Sequence, residues 1–167
     1  ICATWGFADI ATYRKVAAEF GGVEHRMEFV REKDGVKYYN DSIATSPTSV
    51  IACLKSQTQK IITISGGSDK NLNYSDVAPY IVKHVKHMIL TGQTAQKIYK
   101  AVTECDGYDP EVTVLEFAEN MEEAVKKAHA CAKEGDIVYL SPISASFDCY
   151  KNFEERGKHF KALVNEL

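Results

Sequence analysis

Short β-branched runs alternate with stretches of helical periodicity along almost the whole chain, and this alternation constrains the fold more than any other feature. Residues 60–65 read Lys-Ile-Ile-Thr-Ile-Ser and stop at Gly66-Gly67, the pattern of a strand buried on both faces. Residues 87–90, 112–117 and 136–140 are further strand runs, the first of them ending at Thr91-Gly92. Helices are predicted between them. Ser46-Pro47, a cap followed by a first-turn proline, opens one that runs to about residue 55. Ser75 opens another to about residue 84, and a third covers about 94–104. Asn120 with Glu123, and Asn152 with Glu155, are capping-box-like starts for two more. Met121, Ala124, Val125, Ala128 and Ala132 form one apolar stripe; Phe153, Phe160, Leu163 and Val164 form the other.

Two elements precede this series. Residues 9–20 carry Ile10, Tyr13, Val16, Ala17 and Phe20 at helical spacing and stop at Gly21-Gly22, a seam where a preceding domain would join. Met27, Phe29 and Val36, Tyr38 then flank Asp34-Gly35, a turn pair favoured in hairpins. Strands separated by helices imply parallel βαβ units. The expected fold is therefore α/β and Rossmann-like: a mostly parallel, mixed sheet with an N-terminal β-hairpin and helices on both faces.

Composition narrows the function classes. The chain has 167 residues, enough for one domain with one substantial core. A net charge of −3 argues against a general nucleic-acid or anionic-membrane surface, so an anion site must be built locally. No apolar run approaches the roughly 20 residues a membrane span needs. The five cysteines (Cys2, Cys53, Cys105, Cys131, Cys149) are odd in number and scattered, which suits a reducing cytoplasm. The opening Ile1-Cys2-Ala3-Thr4-Trp5 lacks a signal-peptide pattern and an initiator Met, so the chain is expected to begin inside a longer protein.

In open α/β sheets ligands bind beyond the carboxyl ends of the strands. Four loops fall there: residues 39–46, 65–70, 91–92 and 141–146. All are rich in small, hydroxylic or glycine residues, and a crevice among them suits carboxylates or phosphates held by hydroxyls, helix-start N–H groups and Lys70. Each loop also has a purely structural reading. Thr45 and Ser46 can cap a helix, Asp41 can be a turn residue, and Gly66-Gly67 can make a tight strand exit. His84 and His87 read as solvated surface, because a strand is expected to begin between them. Neither a G-x-x-x-x-G-K-[ST] phosphate loop nor a G-x-G-x-x-G dinucleotide fingerprint is present.

The segment 140–157, Leu-Ser-Pro-Ile-Ser-Ala-Ser-Phe-Asp-Cys-Tyr-Lys-Asn-Phe-Glu-Glu-Arg-Gly, resembles the C-terminal domain of the Mur ligase family in its D-glutamate-adding branch. Gly-Val-Glu-His-Arg-Met-Glu (22–28), Tyr-Asn-Asp-Ser-Ile-Ala-Thr-Ser (39–46) and Gly-Gly-Ser-Asp-Lys (66–70) support it. The Asn-Pro-Arg motif expected of the diaminopimelate-adding branch is absent. The resemblance covers residues 21–167; residues 1–20 are similar to the last helix of the family's central ATP-binding domain.

The resemblance implies a ligase that adds D-glutamate to UDP-MurNAc-L-alanine with ATP and Mg2+, the latter two bound mainly by a central domain. The expected partners of this domain are the central and N-terminal domains of the same chain. Thr45 and Lys70 would hold the α-carboxylate of D-glutamate; Ser146 and the backbone N–H of Phe153 would hold its side-chain carboxylate. Arg26 and Asp41 would contact the nucleotide. One departure is Ile43, where the family's Asn-Asp-Ser is more familiarly followed by Lys. The competing expectations are a non-enzymatic Rossmann-like ligand-binding module and a sister ligase with another amino acid.

Overall fold

The sheet has six strands in the order β1-β2-β6-β3-β4-β5, and only β1 runs antiparallel to its neighbour. The molecule is seen in a computed structural model that describes residues 6–167; Cys2 and the rest of residues 1–5, read above as lacking a signal peptide, lie outside the described residues. The elements follow in chain order: α1 (Ile10–Glu19), β1 (Glu28–Lys33), β2 (Val36–Asn40), α2 (Pro47–Lys55), β3 (Ile61–Gly66) and α3 (Ala78–His84). After these come β4 (Val85–Thr91), α4 (Ala95–Thr103), β5 (Val114–Phe117), α5 (Met121–Cys131), β6 (Ile137–Leu140) and α6 (Phe153–Glu166).

Local chemistry explains most boundaries. Asp34 and Gly35 join β1 to β2 with φ of 53° and 74°, the positive values that a two-residue hairpin turn demands. Ser46 caps α2 by accepting from the Ser49 N–H, and Pro47 occupies its first turn. Asn120 and Asn152 cap α5 and α6 in the same way, accepting from the N–H groups of Glu123 and Glu155 at 2.9 and 2.8 Å.

Three boundaries differ from the sequence expectation. Ser75 does not open α3: its N–H is turned onto the Asn73 side-chain oxygen (3.0 Å), residues 75–77 form a turn, and the helix starts at Ala78. With α3 so short, β4 starts immediately after it at Val85. Conversely β5 starts late, because Val112 and Thr113 both donate to the Asp109 carbonyl, at 3.1 and 2.9 Å. The two histidines do straddle a helix–strand junction, but His87 is not simply solvated. Its Nε2 lies 3.2 Å from the Glu116 carboxylate on the next strand.

Helices cover both faces of the sheet. Ile61, Met88, Leu90 and Tyr139 point toward α2, α3 and α4, whereas Ile62, Ile64, Ile89, Val138 and Leu140 point toward α5 and α6. The period of two along β3, β4 and β6 places adjacent residues of one strand in opposite cores. Every residue of β3 is buried, as its unbroken apolar run requires. By contrast α1 buries no residue, and its apolar side chains Ile10, Val16 and Phe20 are 63%, 58% and 65% exposed. Among the described residues no helix is long and apolar enough to cross a membrane.

Candidate functional site

Four segments far apart in sequence meet beyond the carboxyl ends of β2, β3 and β6. Thr45 leads into α2, Lys70 follows β3, Ser146 follows β6, and Phe153 is the first residue of α6. Together with Ala145, Phe147 and Asn152 they line one cleft of about 310 Å³. All four residues expected to hold an amino acid therefore share one cavity. Hydrogen bonds between loops hold them there. Ser68 N–H donates to the Ala145 carbonyl at 2.9 Å, Phe147 N–H to the Ser68 hydroxyl at 3.2 Å, and Ile143 N–H to the Ala44 carbonyl at 3.0 Å. Gly67, at φ 145°, allows the closest approach: a Cβ there would lie 2.1 Å from the Ala145 carbonyl oxygen.

The free hydrogen-bonding capacity of this cleft is of one kind. Lys70 is the only charged side chain lining it, and its ammonium rests 5.0 Å from the centre of the Phe147 ring with no carboxylate partner among the described residues. The neighbouring Asp69 is paired with Lys97 instead. Ser46, not Thr45, is the cap of α2, so the Thr45 hydroxyl has no protein partner among the described residues. Nor does the hydroxyl of Ser146. As the first residue of α6, Phe153 has an N–H with no intrahelical acceptor, and the helix dipole adds positive potential there. One cation, two hydroxyls and a helix-start N–H make a receptor for carboxylate oxygens.

The four loops do not form one crevice. Thr91-Gly92 lies in a second cleft of about 270 Å³ with Gly66, Gly67, the start of α5, and Asp148 to Tyr150. The segment from Phe147 to Asn152 divides the two: Asp148 packs so tightly on Gly92 that a Cβ there would lie 2.5 Å from its Oδ2.

Arg26 and Asp41 line neither cleft. Arg26 is exposed, and Asp41 is 3% exposed with its Oδ1 accepting from the Met27 N–H at 3.2 Å. Burial pushes the Asp41 carboxyl up to about 6, although the Met27 N–H, the Arg26 charge and the Cys53 thiol all favour its ionised form. Ile43 is half-buried and lies outside the cleft lining; its N–H donates to the His25 carbonyl at 3.2 Å. The Mg2+ that the resemblance implies has no fitting ligand set among the described residues. Glu24, His25 and Glu28 do cluster, but Lys161 Nζ already lies 2.8 Å from each carboxylate.

A buried polar network behind the cleft carries no signal in the loops themselves. Arg156 is 2% exposed and bonded to Ser42, Ser144 and Ala145; Ser42 in turn donates to the Phe153 carbonyl at 2.7 Å. His25, 3% exposed, meets Asn40 at 2.8 Å and packs so closely on α6 that a Cβ at Gly157 would lie 2.3 Å from its Nδ1. The available signal was spacing: Arg156 and Gly157 fall between Phe153 and Phe160 on the inward stripe of α6.

A Rossmann-like sheet with a cleft of free donor groups at its topological switch defines a class, α/β domains that offer a ligand-binding edge at the carboxyl ends of their strands. Within that class the chain belongs to a particular family: residues 25–143 match the family described as Mur ligase, glutamate ligase domain. The UDP-N-acetylmuramoylalanine–D-glutamate ligase of Acetivibrio thermocellus is 52% identical over 92% of this chain and 34% of its own length. That of Symbiobacterium thermophilum is 49% identical over 96% of this chain and 34% of its own length. The chain thus spans about a third of the length of these curated relatives, and their matches extend beyond residue 143 into the segment carrying Ser146 and Phe153. In structure, Mycobacterium tuberculosis folylpolyglutamate synthase complexed with ADP superposes with a TM-score of 0.65 at 14% identity, over 95% of this chain and 37% of that one. A murein peptide ligase from Psychrobacter arcticus gives 0.57 at 15% identity, over 99% and 35%. At these identities the two structures establish the fold alone.

Proposed function

We propose that this chain is the C-terminal, amino-acid-holding domain of an ATP-dependent ligase that joins D-glutamate to UDP-MurNAc-L-alanine in peptidoglycan precursor synthesis, in the cytoplasm. The observation that carries the reading is the convergence of Thr45, Lys70, Ser146 and the start of α6 on one cleft whose free groups all favour carboxylates. D-Glutamate carries two carboxylates, and the donors come in two sets. Lys70 and Thr45 take the α-carboxylate, and Ser146 with the Phe153 N–H takes the side-chain carboxylate. The names of the two relatives given above support the same substrate.

In the reaction so assigned, ATP phosphorylates the carboxylate of UDP-MurNAc-L-alanine. The amine of D-glutamate attacks the acyl phosphate, and the tetrahedral intermediate collapses to amide and phosphate. The part of this chain is to fix the amine by its two flanking carboxylates, turning an encounter into an oriented attack. Arg26 and Asp41 contact the nucleotide, Asp41 accepting from ribose hydroxyls in its ionised form. Mg2+ and the phosphate-binding groups belong to a central domain, of which α1 is the last helix.

The test is amino-acid-dependent phosphate release by the complete protein. D-Glutamate is expected to support turnover, and L-alanine and diaminopimelate are not. In the same protein Lys70→Ala is expected to raise the KM for D-glutamate by at least about tenfold, the loss of one charge-assisted carboxylate contact. Turnover with another amino acid would transfer the reading to a sister ligase, and an unchanged KM would remove Lys70 from the site.

A further inference from the structure

Arg156 sits in the first turn of α6, 2% exposed, and its hydrogen bonds all go to neutral acceptors, while the Asp148 carboxylate favours its charge. Nε donates to the Ser42 hydroxyl at 3.1 Å and Nη2 to the Ser42 carbonyl at 3.0 Å. Nη1 donates to the carbonyls of Ser144 and Ala145, both at 3.1 Å. Burial lowers its pKa to about 10, so it keeps its charge at neutral pH. A buried charge hydrogen-bonded only by neutral groups, with the Asp148 carboxylate of the second cleft as its nearby counter-charge, still opposes folding unless something else recovers its lost hydration. A neutral side chain could fill the same space at lower cost.

The bonded residues suggest what is recovered. Ser42 lies three residues before Thr45, and Ala145 immediately precedes Ser146. The Ser42 hydroxyl passes the connection on to the Phe153 carbonyl. The loop of Lys70 also comes close, since a Cβ on Gly67 would lie 3.0 Å from Nη1. One planar fork therefore spans the three segments that supply Thr45, Ser146 and the Phe153 N–H, reaching them from the second cleft, which Arg156 lines.

We infer that Arg156 is a positioning residue for the carboxylate-binding cleft: its fork sets the spacing of the donor sets. This rests on the reading of the cleft as the D-glutamate site. Lysine cannot replace the fork, because an ammonium donates from a single point and cannot reach Ser42 and Ala145 together in this geometry.

The experiment uses the complete ligase with Arg156→Lys, which keeps the charge, and Ser42→Ala, a small change that removes the shared hydroxyl. KM for D-glutamate, for ATP and for the nucleotide-sugar substrate are measured with kcat and the melting temperature. Arg156→Lys is expected to raise the KM for D-glutamate about tenfold, and Ser42→Ala severalfold, with the other two KM values within about twofold of wild type. Equal rises in all three KM values, or a lower melting temperature with every KM unchanged, would reduce Arg156 to a structural residue and overturn the inference. If Arg156→Lys does not fold, Ser42→Ala decides by the same criteria. Lys70→Ala, run in parallel, separates the two levels. If it raises the KM for D-glutamate and neither other variant does, the inference about Arg156 alone fails; if it too leaves that KM unchanged, Lys70 leaves the site and this cleft is no longer the D-glutamate site, whatever amino acid supports turnover.

Discussion

Asp41 shows how one residue can be read correctly by type and still be surprising in state. Its 3% exposure makes burial the dominant influence, and the carboxyl titrates at about 6 instead of 3.8. Folding thus favours the protonated form. Below pH 3.8 both folded and unfolded chains are protonated there; as pH rises to about 6 the unfolded chain releases its proton first and stability falls, after which the loss is constant. Asp41→Asn is accordingly expected to stabilise the chain by roughly 3 kcal/mol at pH 7.5 and by almost nothing at pH 3.5. Urea denaturation of both proteins at the two pH values measures this, and an equal difference at both would mean that the carboxyl ionises freely. At this scale the sequence was informative about residue types but not about their partners. Thr45, Lys70, Ser146 and Phe153 were legible because each stands at a strand exit or helix start. Ser46 takes the capping duty, as the Ser46-Pro47 start predicts, but that the Thr45 hydroxyl is left without a protein partner among the described residues was visible only in the structure. Nor could the loops reveal that Arg156, three helix positions beyond Phe153, binds two of them from behind.

The helices that frame the site allow a comparison within one molecule. α5 and α6 begin identically, with Asn120 or Asn152 accepting from a glutamate N–H three residues on. Replacing either by alanine is expected to lower stability by about 1 kcal/mol. Only Asn152→Ala should also raise the KM for D-glutamate in the complete ligase, because only α6 presents its first N–H to the carboxylate cleft. Denaturation midpoints alongside D-glutamate kinetics distinguish the outcomes, and an equal kinetic effect from Asn120→Ala would remove the start of α6 from the site. Elements of this kind were the most legible part of the chain: the caps, the Ser46-Pro47 start and the Asp34-Gly35 turn each fall where residue chemistry puts them. The start of α3 was not. Ser75 has the residue type of a cap, but the Asn73 side chain engages its N–H first, and a local competition between two polar side chains leaves no periodic trace. The division of the strand-end loops between two clefts was equally hidden, since it depends on the path of the 147–152 segment across Gly92.

On the scale of the whole molecule, the uncovered apolar face of α1 separates it from everything downstream. Val16 is 58% exposed and α1 buries nothing, so Val16→Lys is expected to change the stability of the 167-residue chain by under about 0.5 kcal/mol. If α1 completes a central domain, the same change in the complete protein costs 1 kcal/mol or more, about the value typical of a buried position. Paired thermal melts of the two proteins check this, and equal shifts in both would detach α1 from any such domain. The alternation of strands and helices made the sheet class legible from sequence, but not the strand order, because β2 and β3 are consecutive and yet do not pair. β6 lies between them, paired to both. That placement has a consequence for synthesis on the ribosome. The first five strands emerge as two pieces, a hairpin and a three-stranded β3-β4-β5 ribbon, with no strand pairing between them. They become one sheet only when residues 137–140 have left the exit tunnel and inserted between them. The carboxylate cleft straddles that same junction, so it is assembled last, and a chain released before β6 would hold Thr45 and Lys70 but neither Ser146 nor the start of α6 that completes the cleft.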